Sequence, residues 1–301
     1  MKLAKNKLIE GFAKWLFAFF GVVAIFAVCS ITFYMILKGM PAIAKVGMSE
    51  LLFKTSWSPT SANPSYGILY IIMASLLATA TSVLIGVPIA LFTAIFLAEI
   101  ANKKIASIVT SAIELLAAIP SVIYGLLGAM VLVPMIYKLE KLIFAGSLTH
   151  QFTGGSNMLA AIIVLAIMIL PTVVSVSMTS IKAVSNNLRF ASLALGATKI
   201  ETIFHVVIPA AKSGIATGIV LGIGRALGEA MAINMVAGGC VNLPLPFNSV
   251  RFLTTQIVSE MGYAEGLHRE VLFTVGLVLF AFIMIVNLVL QRIRKKAIDN
   301  D

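Results

Sequence analysis

Charged residues are scarce in this sequence, and aspartate is almost missing. Asp, Glu, Lys and Arg make up 11% of the 301 residues, against about 25% in an average soluble domain. The two aspartates, Asp299 and Asp301, stand at the C-terminal end, which excludes aspartate chemistry in the interior. Two cysteines, Cys29 and Cys240, are too few for a disulfide framework or a cysteine metal site.

The sequence also lacks the motifs of several enzyme classes. It has no Gly-x-x-x-x-Gly-Lys-Ser/Thr phosphate loop, so the chain is not expected to bind or hydrolyse ATP by itself. Its three histidines have no ligand spacing such as His-Glu-x-x-His, so we expect no metal site and no cofactor. Basic residues are not interleaved with aromatics, so we expect no nucleic-acid partner. Without a catalytic constellation, a membrane enzyme is disfavoured.

What the sequence does contain is long apolar runs. Hydrophobic residues make up 60% of the chain, more than a soluble protein can cover with polar groups. A helix that crosses ~30 Å of hydrocarbon needs about 20 apolar residues. The sequence predicts an all-α membrane protein with six transmembrane helices over residues 15–291, between an N-terminal segment 1–14 and a C-terminal tail 292–301. The predicted spans are Trp15–Leu37, Gly67–Ala98, Leu115–Tyr137, Met158–Ile181, Ser213–Gly239 and Val271–Gln291.

The distribution of basic residues predicts the orientation of these spans. Six helices place both termini on one side, where 14 Lys and Arg residues gather, against 7 on the other side. Because cytoplasmic loops carry the excess of Lys and Arg, both termini are expected in the cytoplasm. The first cytoplasmic loop, 99–114, is predicted to be short, and the second, 182–212, is the larger one.

The loop 182–212 has an apolar pattern of its own. Leu188, Ala191 and Leu195 fall on one helical face, and Gly196 is expected to end that helix. A second short helix is predicted from Lys199, stopping before Pro209. Such an apolar face suits insertion into a groove on a partner protein. The alternative is an ordinary amphipathic helix at the membrane surface.

Two charges and a glycine series mark the fifth predicted span. Arg225 and Glu229 are spaced i,i+4, which predicts that they meet on one helix face. A charge inside a membrane is costly unless it is paired or hydrated, so the pair either orders the bundle or forms a polar transport site. Glycines repeat at every fourth residue, which predicts close helix packing; they are Gly214, Gly218 and Gly222.

The second cytoplasmic loop resembles a known pattern. ABC importer permeases carry Glu-Ala-Ala, three residues, Gly, nine residues and Ile-x-Leu-Pro, and Gly196 to Pro209 keeps that spacing. In that family the loop is the coupling helix that docks into the ATP-binding subunit. Phe190 replaces the glutamate, which removes a possible ionic contact. The resemblance implies a coupling role for Phe190, Ala191, Ser192, Gly196, Ile208 and Pro209.

Further segments resemble phosphate-specific ABC importer permeases. These are Ile119–Leu126 and Gly224–Met231, and the continuation to Gly239 is similar to the PstC-type subunit. Trp57-Ser58-Pro59 and Gly266-Leu267-His268 are also similar to that subunit. The resemblance implies a type I importer permease fold and a phosphate pathway, in which the guanidinium of arginine would offer a fork of donors. The implied pathway residues are Arg225, Glu229, Ser121 and Tyr124.

The same resemblance implies the partners and the location. The partners would be a second related permease (PstA-like), a dimer of ATP-binding subunits (PstB-like), an extracytoplasmic phosphate-binding protein (PstS-like) and membrane lipid. The location would be a bacterial or archaeal inner membrane. Three alternatives stay open: the permease of another oxyanion importer, the sister PstA-type subunit, and an ion-coupled secondary transporter, which would need no ATPase.

Overall fold

The computed structural model describes the backbone of residues 2–299 and the side chains of residues 10–292. Parts of the predicted tails 1–14 and 292–301 therefore lie outside the described side chains. Six helices are long and apolar enough to cross a membrane, which confirms the predicted number of spans. They are Glu10–Val46, Leu69–Ile100, Ser121–Ile143, Met158–Lys182, Lys199–Gly228 and Gly266–Arg292.

The spans are assembled from helices that are interrupted in several places. The helices are α1 (Lys2–Val46), α2 (Met48–Phe53), α3 (Leu69–Ile95), α4 (Lys103–Ala118), α5 (Ser121–Leu127), α6 (Val133–Ile143), α7 (Met158–Lys182), α8 (Asn186–Ala194), α9 (Lys199–Thr202), α10 (Ile208–Gly228), α11 (Met231–Val236), α12 (Leu253–Glu260) and α13 (Gly266–Asp299). Three π-helical turns extend or join them, at Phe96–Ile100, Gly128–Leu132 and Ile203–Val207. One antiparallel hairpin pairs β1 (Trp57–Ser58) with β2 (Ser65–Tyr66).

The core of the bundle is α7, which packs between α3 and α10 and is the most buried span. The predicted close packing of the glycine series on α10 is confirmed. A Cβ at Gly214 would lie 2.1 Å from Ser180 Oγ, and one at Gly222 would lie 2.7 Å from Val173 Cγ2, both on α7. By contrast, nothing lies within 4 Å of a Cβ at Gly224 or Gly228. The glycines therefore divide into a packed set and an open set.

The segment between the second and third spans covers residues 101–120 rather than the predicted 99–114, and most of it is helical, because Lys103–Ala118 form α4. Asn102 begins this helix, since its side-chain oxygen accepts a hydrogen bond from the Ile105 N–H at 2.8 Å. The predicted span Leu115–Tyr137 is broken at Ile119, which is extended before Pro120. A residue before proline is disfavoured in the helical region, which explains the break. The third span therefore starts at Ser121 and runs on to Ile143.

The fifth span also differs from its predicted bounds. It starts at Lys199 rather than Ser213, because the helix continues past Pro209 instead of stopping before it. The π-helical turn Ile203–Val207 directly precedes α10, and proline is tolerated in the first turn of a helix segment. At the other end, Glu229 has extended backbone angles, so α10 ends at Gly228 and α11 begins anew at Met231.

The two ends of the bundle carry different structures. The α8 end has α4, α8 and the turn after α8. The other end, called the α12 end here, has the hairpin, α12 and the long segments 144–157 and 237–252. The outer faces of the spans are rich in exposed apolar side chains, which matches a hydrocarbon environment.

Candidate functional site

Arg225 lies in the last turn of α10 and is half-buried. Its Nη1 donates to Thr172 Oγ1 on α7 at 3.4 Å, near the long limit of a hydrogen bond. Among the described residues this is the one hydrogen bond that the guanidinium makes. An arginine has five N–H donors, so most of this fork is available to a ligand.

Glu229 does not share a helix face with Arg225, so the predicted i,i+4 pairing is wrong. The helix ends one residue earlier, and the Glu229 carboxylate turns to α11, where Oε1 accepts a hydrogen bond from the Ala232 N–H at 2.9 Å. The Glu229 carbonyl accepts a second one from Thr254 Oγ1 at 2.7 Å. Glu229 is 8% exposed. Its contacts hold the break between α10 and α11.

Ser121 and Tyr124 lie at the break between α4 and α5. The Tyr124 hydroxyl is already used, since it donates to the Leu116 carbonyl at 2.7 Å. Ser121 is the first residue of α5, is half-buried, and has no side-chain hydrogen bond among the described residues.

Arg225 belongs to an exposed strip that runs along two helices, here called the α10–α11 face. Gly224 and Gly228 leave open space on α10, while Leu221 and Met231 are about half exposed. The strip continues over α11 to the α12 end. Its members are Leu221, Gly224, Arg225, Gly228, Met231, Asn234, Met235 and Gly238. This face borders the contact with α7, since Arg225 bonds Thr172 on α7 while Gly224 and Gly228 leave open space beside it.

The loop that resembles a coupling helix has the predicted first helix. Ser185 begins α8 and Leu195 ends it, and Gly196 follows with φ +89°, a left-handed conformation that favours glycine. The predicted apolar face is confirmed as exposed, since Leu195 is 90% exposed. Phe190 and Ile200 extend it, with Leu188, Leu193 and Phe204 around them. A patch of this kind is typical of a contact surface for another protein.

The remaining motif residues of this loop have different surroundings. Ser192 is half-buried, and its hydroxyl lies 2.9 Å from the Thr202 hydroxyl, which holds α8 against α9. Ala191 and Pro209 are exposed, and Ile208 is half-buried at the start of α10. The structure thus divides the motif into an exposed face around Phe190 and an internal contact through Ser192.

Arg189 is a residue that the sequence analysis missed. It donates to Glu99 Oε1 at 2.8 Å and to the Ile181 carbonyl at 2.9 Å, and also to the Val184 carbonyl. This ion pair is largely buried and ties α8 to the end of the second span. No local sequence signal could reveal it, because the partners lie 90 residues apart.

Two buried carboxylates at the α12 end were also missed. Glu260 accepts hydrogen bonds from Trp57 Nε1 at 3.1 Å and from Arg251 Nη1 at 2.5 Å, and it bonds His268 Nε2 at 2.7 Å. Glu140 bonds His150 Nε2 at 2.9 Å. Trp57 and His268 belong to segments with family resemblance, but their meeting on one carboxylate depends on tertiary packing. Both clusters fasten the segments of this end to the bundle.

The fold and the site together define a polytopic membrane permease. The sequence matches the family described as "Binding-protein-dependent transport system inner membrane component" over residues 86–299, so the chain belongs to that family. It is 39% identical over 280 residues to the "Probable ABC transporter permease protein YqgH" of Bacillus subtilis, covering 90% of this chain and 87% of that one.

Other relatives are also named as permeases. The chain is 34% identical over 292 residues to the "Phosphate transport system permease protein PstC" of Pasteurella multocida, covering 92% of this chain and 90% of that one. Its fold is similar to a solved bacterial alginate ABC transporter in complex with its pentasaccharide-bound periplasmic protein, with a TM-score of 0.66, 15% identity and 94% coverage of both chains. At that identity, the likeness concerns the fold alone.

Proposed function

We propose that this chain is the PstC-type permease subunit of an ATP-driven phosphate importer. The observation that carries the proposal is Arg225, a half-buried cation on an exposed face whose guanidinium makes one long hydrogen bond. Arg189 and Arg251, by contrast, are each engaged by a carboxylate and a backbone carbonyl. The names of the relatives, which include several phosphate permeases, supply the substrate.

In this proposal the α10–α11 face lines the phosphate pathway. Arg225 attracts the anion with its charge and offers parallel N–H donors to its oxygens. Ser121, at the break between α4 and α5, adds a hydroxyl to this pathway. Glu229 and Tyr124 act on the pathway indirectly, because their polar groups hold the breaks that end α10 and begin α5. A single cation binds the anion weakly enough for release, which a transport site needs.

The partners follow from the same proposal. A second, PstA-like permease would cover the α10–α11 face and complete the pathway. PstB-like subunits would bind and hydrolyse ATP, since this chain would have no ATPase site of its own, and the exposed patch around Phe190 and Leu195 would dock on them. A PstS-like protein would deliver phosphate at the α12 end. The α8 end and both termini would face the cytoplasm of a bacterial or archaeal cell.

The test is reconstitution of the four-protein complex in liposomes. ATP-dependent uptake of labelled phosphate is measured beside sulfate and molybdate. We expect phosphate uptake that needs ATP and the binding protein. Uptake of sulfate or molybdate in place of phosphate would identify another oxyanion importer. Uptake driven by an ion gradient without the ATP-binding subunits would contradict the proposal as a whole.

A further inference from the structure

A cavity of about 720 Å³ lies at the α12 end, between the segment after α6 and the segment after α11. Its size is in the range of small-molecule sites. The residues that line it include no charged side chain. Instead they present amides and hydroxyls, and we call it the amide cavity. Its polar members used below are Gln151, Ser156, Asn234, Asn242, Asn248 and Ser249.

The walls of the amide cavity are held by the backbone. The Met158 N–H donates to the Asn248 carbonyl at 3.0 Å, and the Leu159 N–H donates to the Pro246 carbonyl at 2.8 Å. The Gly239 N–H donates to the Val250 carbonyl at 3.1 Å. The first two bonds attach the segment 239–250 to the start of α7, and the third joins the two ends of that segment, so the cavity is formed before any ligand arrives.

Several side chains that line the cavity keep a hydrogen-bond donor or acceptor that no described residue uses. The Asn234 carbonyl oxygen accepts from Ser259 Oγ, which leaves its NH₂ free to donate. Ser249 Oγ accepts from the Cys240 N–H, so its own proton is available. Asn242 and Asn248 use their NH₂ groups on backbone carbonyls, which leaves their side-chain oxygens as acceptors. Gln151 has no hydrogen-bond partner among the described residues.

This combination of groups selects a class of ligand. An oxyanion that keeps a proton, such as hydrogen phosphate, has several acceptor oxygens and one O–H donor. Free donors on Asn234 and Ser249 suit the oxygens, and free acceptors on Asn242 and Asn248 suit the proton. A fully ionised oxyanion such as sulfate has no proton to donate, so the amide oxygens would face its negatively charged oxygens without a hydrogen bond.

The amide cavity also shares residues with the α10–α11 face. Asn234, Met235 and Gly238 line it and belong to the α10–α11 face that carries Arg225. A ligand leaving the cavity along this face would pass from uncharged donors to a cation. Neutral hydrogen bonds are about half as strong as charge-assisted ones, so the order favours inward movement.

We propose that the amide cavity is the first subsite for hydrogen phosphate, ahead of Arg225. This rests on the proposed function as a phosphate permease. In the absence of a charge the anion is held weakly and passes on to the guanidinium. The amides exclude oxyanions without a proton before they reach the charged site.

The test uses the full reconstituted complex and three variants. Asn234→Asp keeps the acceptor for Ser259 but replaces the free donor by negative charge. Asn234→Leu removes the donor without adding charge. Asn63→Asp is the matched control, because Asn63 is exposed in the turn of the hairpin and does not line the cavity. Phosphate uptake and ATP hydrolysis are measured in parallel over a range of binding-protein concentrations.

We expect Asn234→Asp to lower phosphate uptake about ten-fold and Asn234→Leu about three-fold, through lost hydrogen bonds and repulsion. ATP hydrolysis stimulated by the binding protein should stay within about two-fold for both, as only the number of phosphates per ATP changes. Asn63→Asp should match wild type in both measurements.

Two results would overturn this subsite while leaving the importer intact. One is phosphate uptake by Asn234→Asp equal to that of Asn63→Asp. The other is an increase in the binding-protein concentration needed for half-maximal ATP hydrolysis, which would make the cavity a docking surface for that protein. A wild-type complex that takes up no phosphate would overturn the proposed function itself, and the subsite with it.

Discussion

At the scale of single residues, the charges of the fifth span have different roles than their spacing indicated. Arg225 has most of its N–H donors unused, whereas Glu229 accepts one hydrogen bond from α11 and another from Thr254 on α12. The two residues are four positions apart in sequence, yet Arg225 is half-buried with unused donors and Glu229 is buried at the helix break. Substitutions should therefore separate transport from folding.

Arg225→Leu should assemble and hydrolyse ATP but lose phosphate uptake, because the pathway loses its cation. Arg225→Lys should restore only part of the uptake, since an ammonium lacks the planar fork. The matched control is Glu229→Gln, whose amide oxygen can still accept from the Ala232 N–H and should keep most of the uptake. Uptake by Arg225→Leu near the wild-type rate, measured in liposomes, would remove Arg225 from the pathway.

Gly196 is the second residue with a separate test. Its φ of +89° costs a residue with a Cβ about 1–2 kcal/mol, while no atom lies within 4 Å to clash. Gly196→Val should therefore distort the turn after α8 and leave the spans inserted. We expect weaker binding of the ATP-binding subunits, measured by co-purification, and little stimulated hydrolysis. Gly146→Val is the control, since Gly146 has equal space without a positive φ; equal co-purification of both variants would contradict a coupling role.

At the scale of elements, the Arg189–Glu99 ion pair connects α8 to the end of the second span. If α8 moves with the ATP-binding subunits, this pair transmits the movement into the bundle. Glu99→Gln should leave docking intact but lower the uptake per ATP about three-fold, because the remaining contact is a weaker hydrogen bond.

The control for this pair is Lys45→Gln, which breaks the exposed ion pair with Glu270 at the α12 end. An exposed pair contributes about 0–1 kcal/mol, so uptake per ATP should not change. Equal effects of the two variants, or a loss of co-purification with Glu99→Gln, would show that the pair only supports stability.

At the scale of the whole molecule, much of the fold could be predicted because hydrocarbon thickness imposes a length on apolar runs. The six spans follow from that constraint. The break at Glu229 could not be predicted, because the sequence around it reads the same whether one helix or two lie within the span. The break at Ile119 does have a local signal in Pro120, which disfavours a helical Ile119. The site divides likewise: Arg225 stands out as a charge among apolar residues, whereas the amide cavity and the Glu260 cluster join segments far apart in the chain.

The orientation of the bundle in the membrane is tested on the whole molecule. Single cysteines at Ser61 and Leu148, both exposed at the α12 end, should react with a membrane-impermeant reagent from outside. A cysteine at Asn187 on α8 should react only after the membrane is opened. The natural Cys29 and Cys240 are both exposed and are first replaced by serine. Labelling of Asn187→Cys from outside intact cells would reverse the proposed orientation.

The three π-helical turns have a consequence for the evolutionary history of the chain. A π turn contains one residue more than an α turn, so each of them can be viewed as an insertion that the span has absorbed. Removing Ala129 from the turn Gly128–Leu132 should restore a regular helix, with the residues on both sides still facing their original neighbours. The same deletion at Ala161 in the uninterrupted α7 would rotate every later residue out of the core. Insertions and deletions among related permeases are therefore expected to collect at these turns, and membrane insertion of the two deletion variants would show the difference directly.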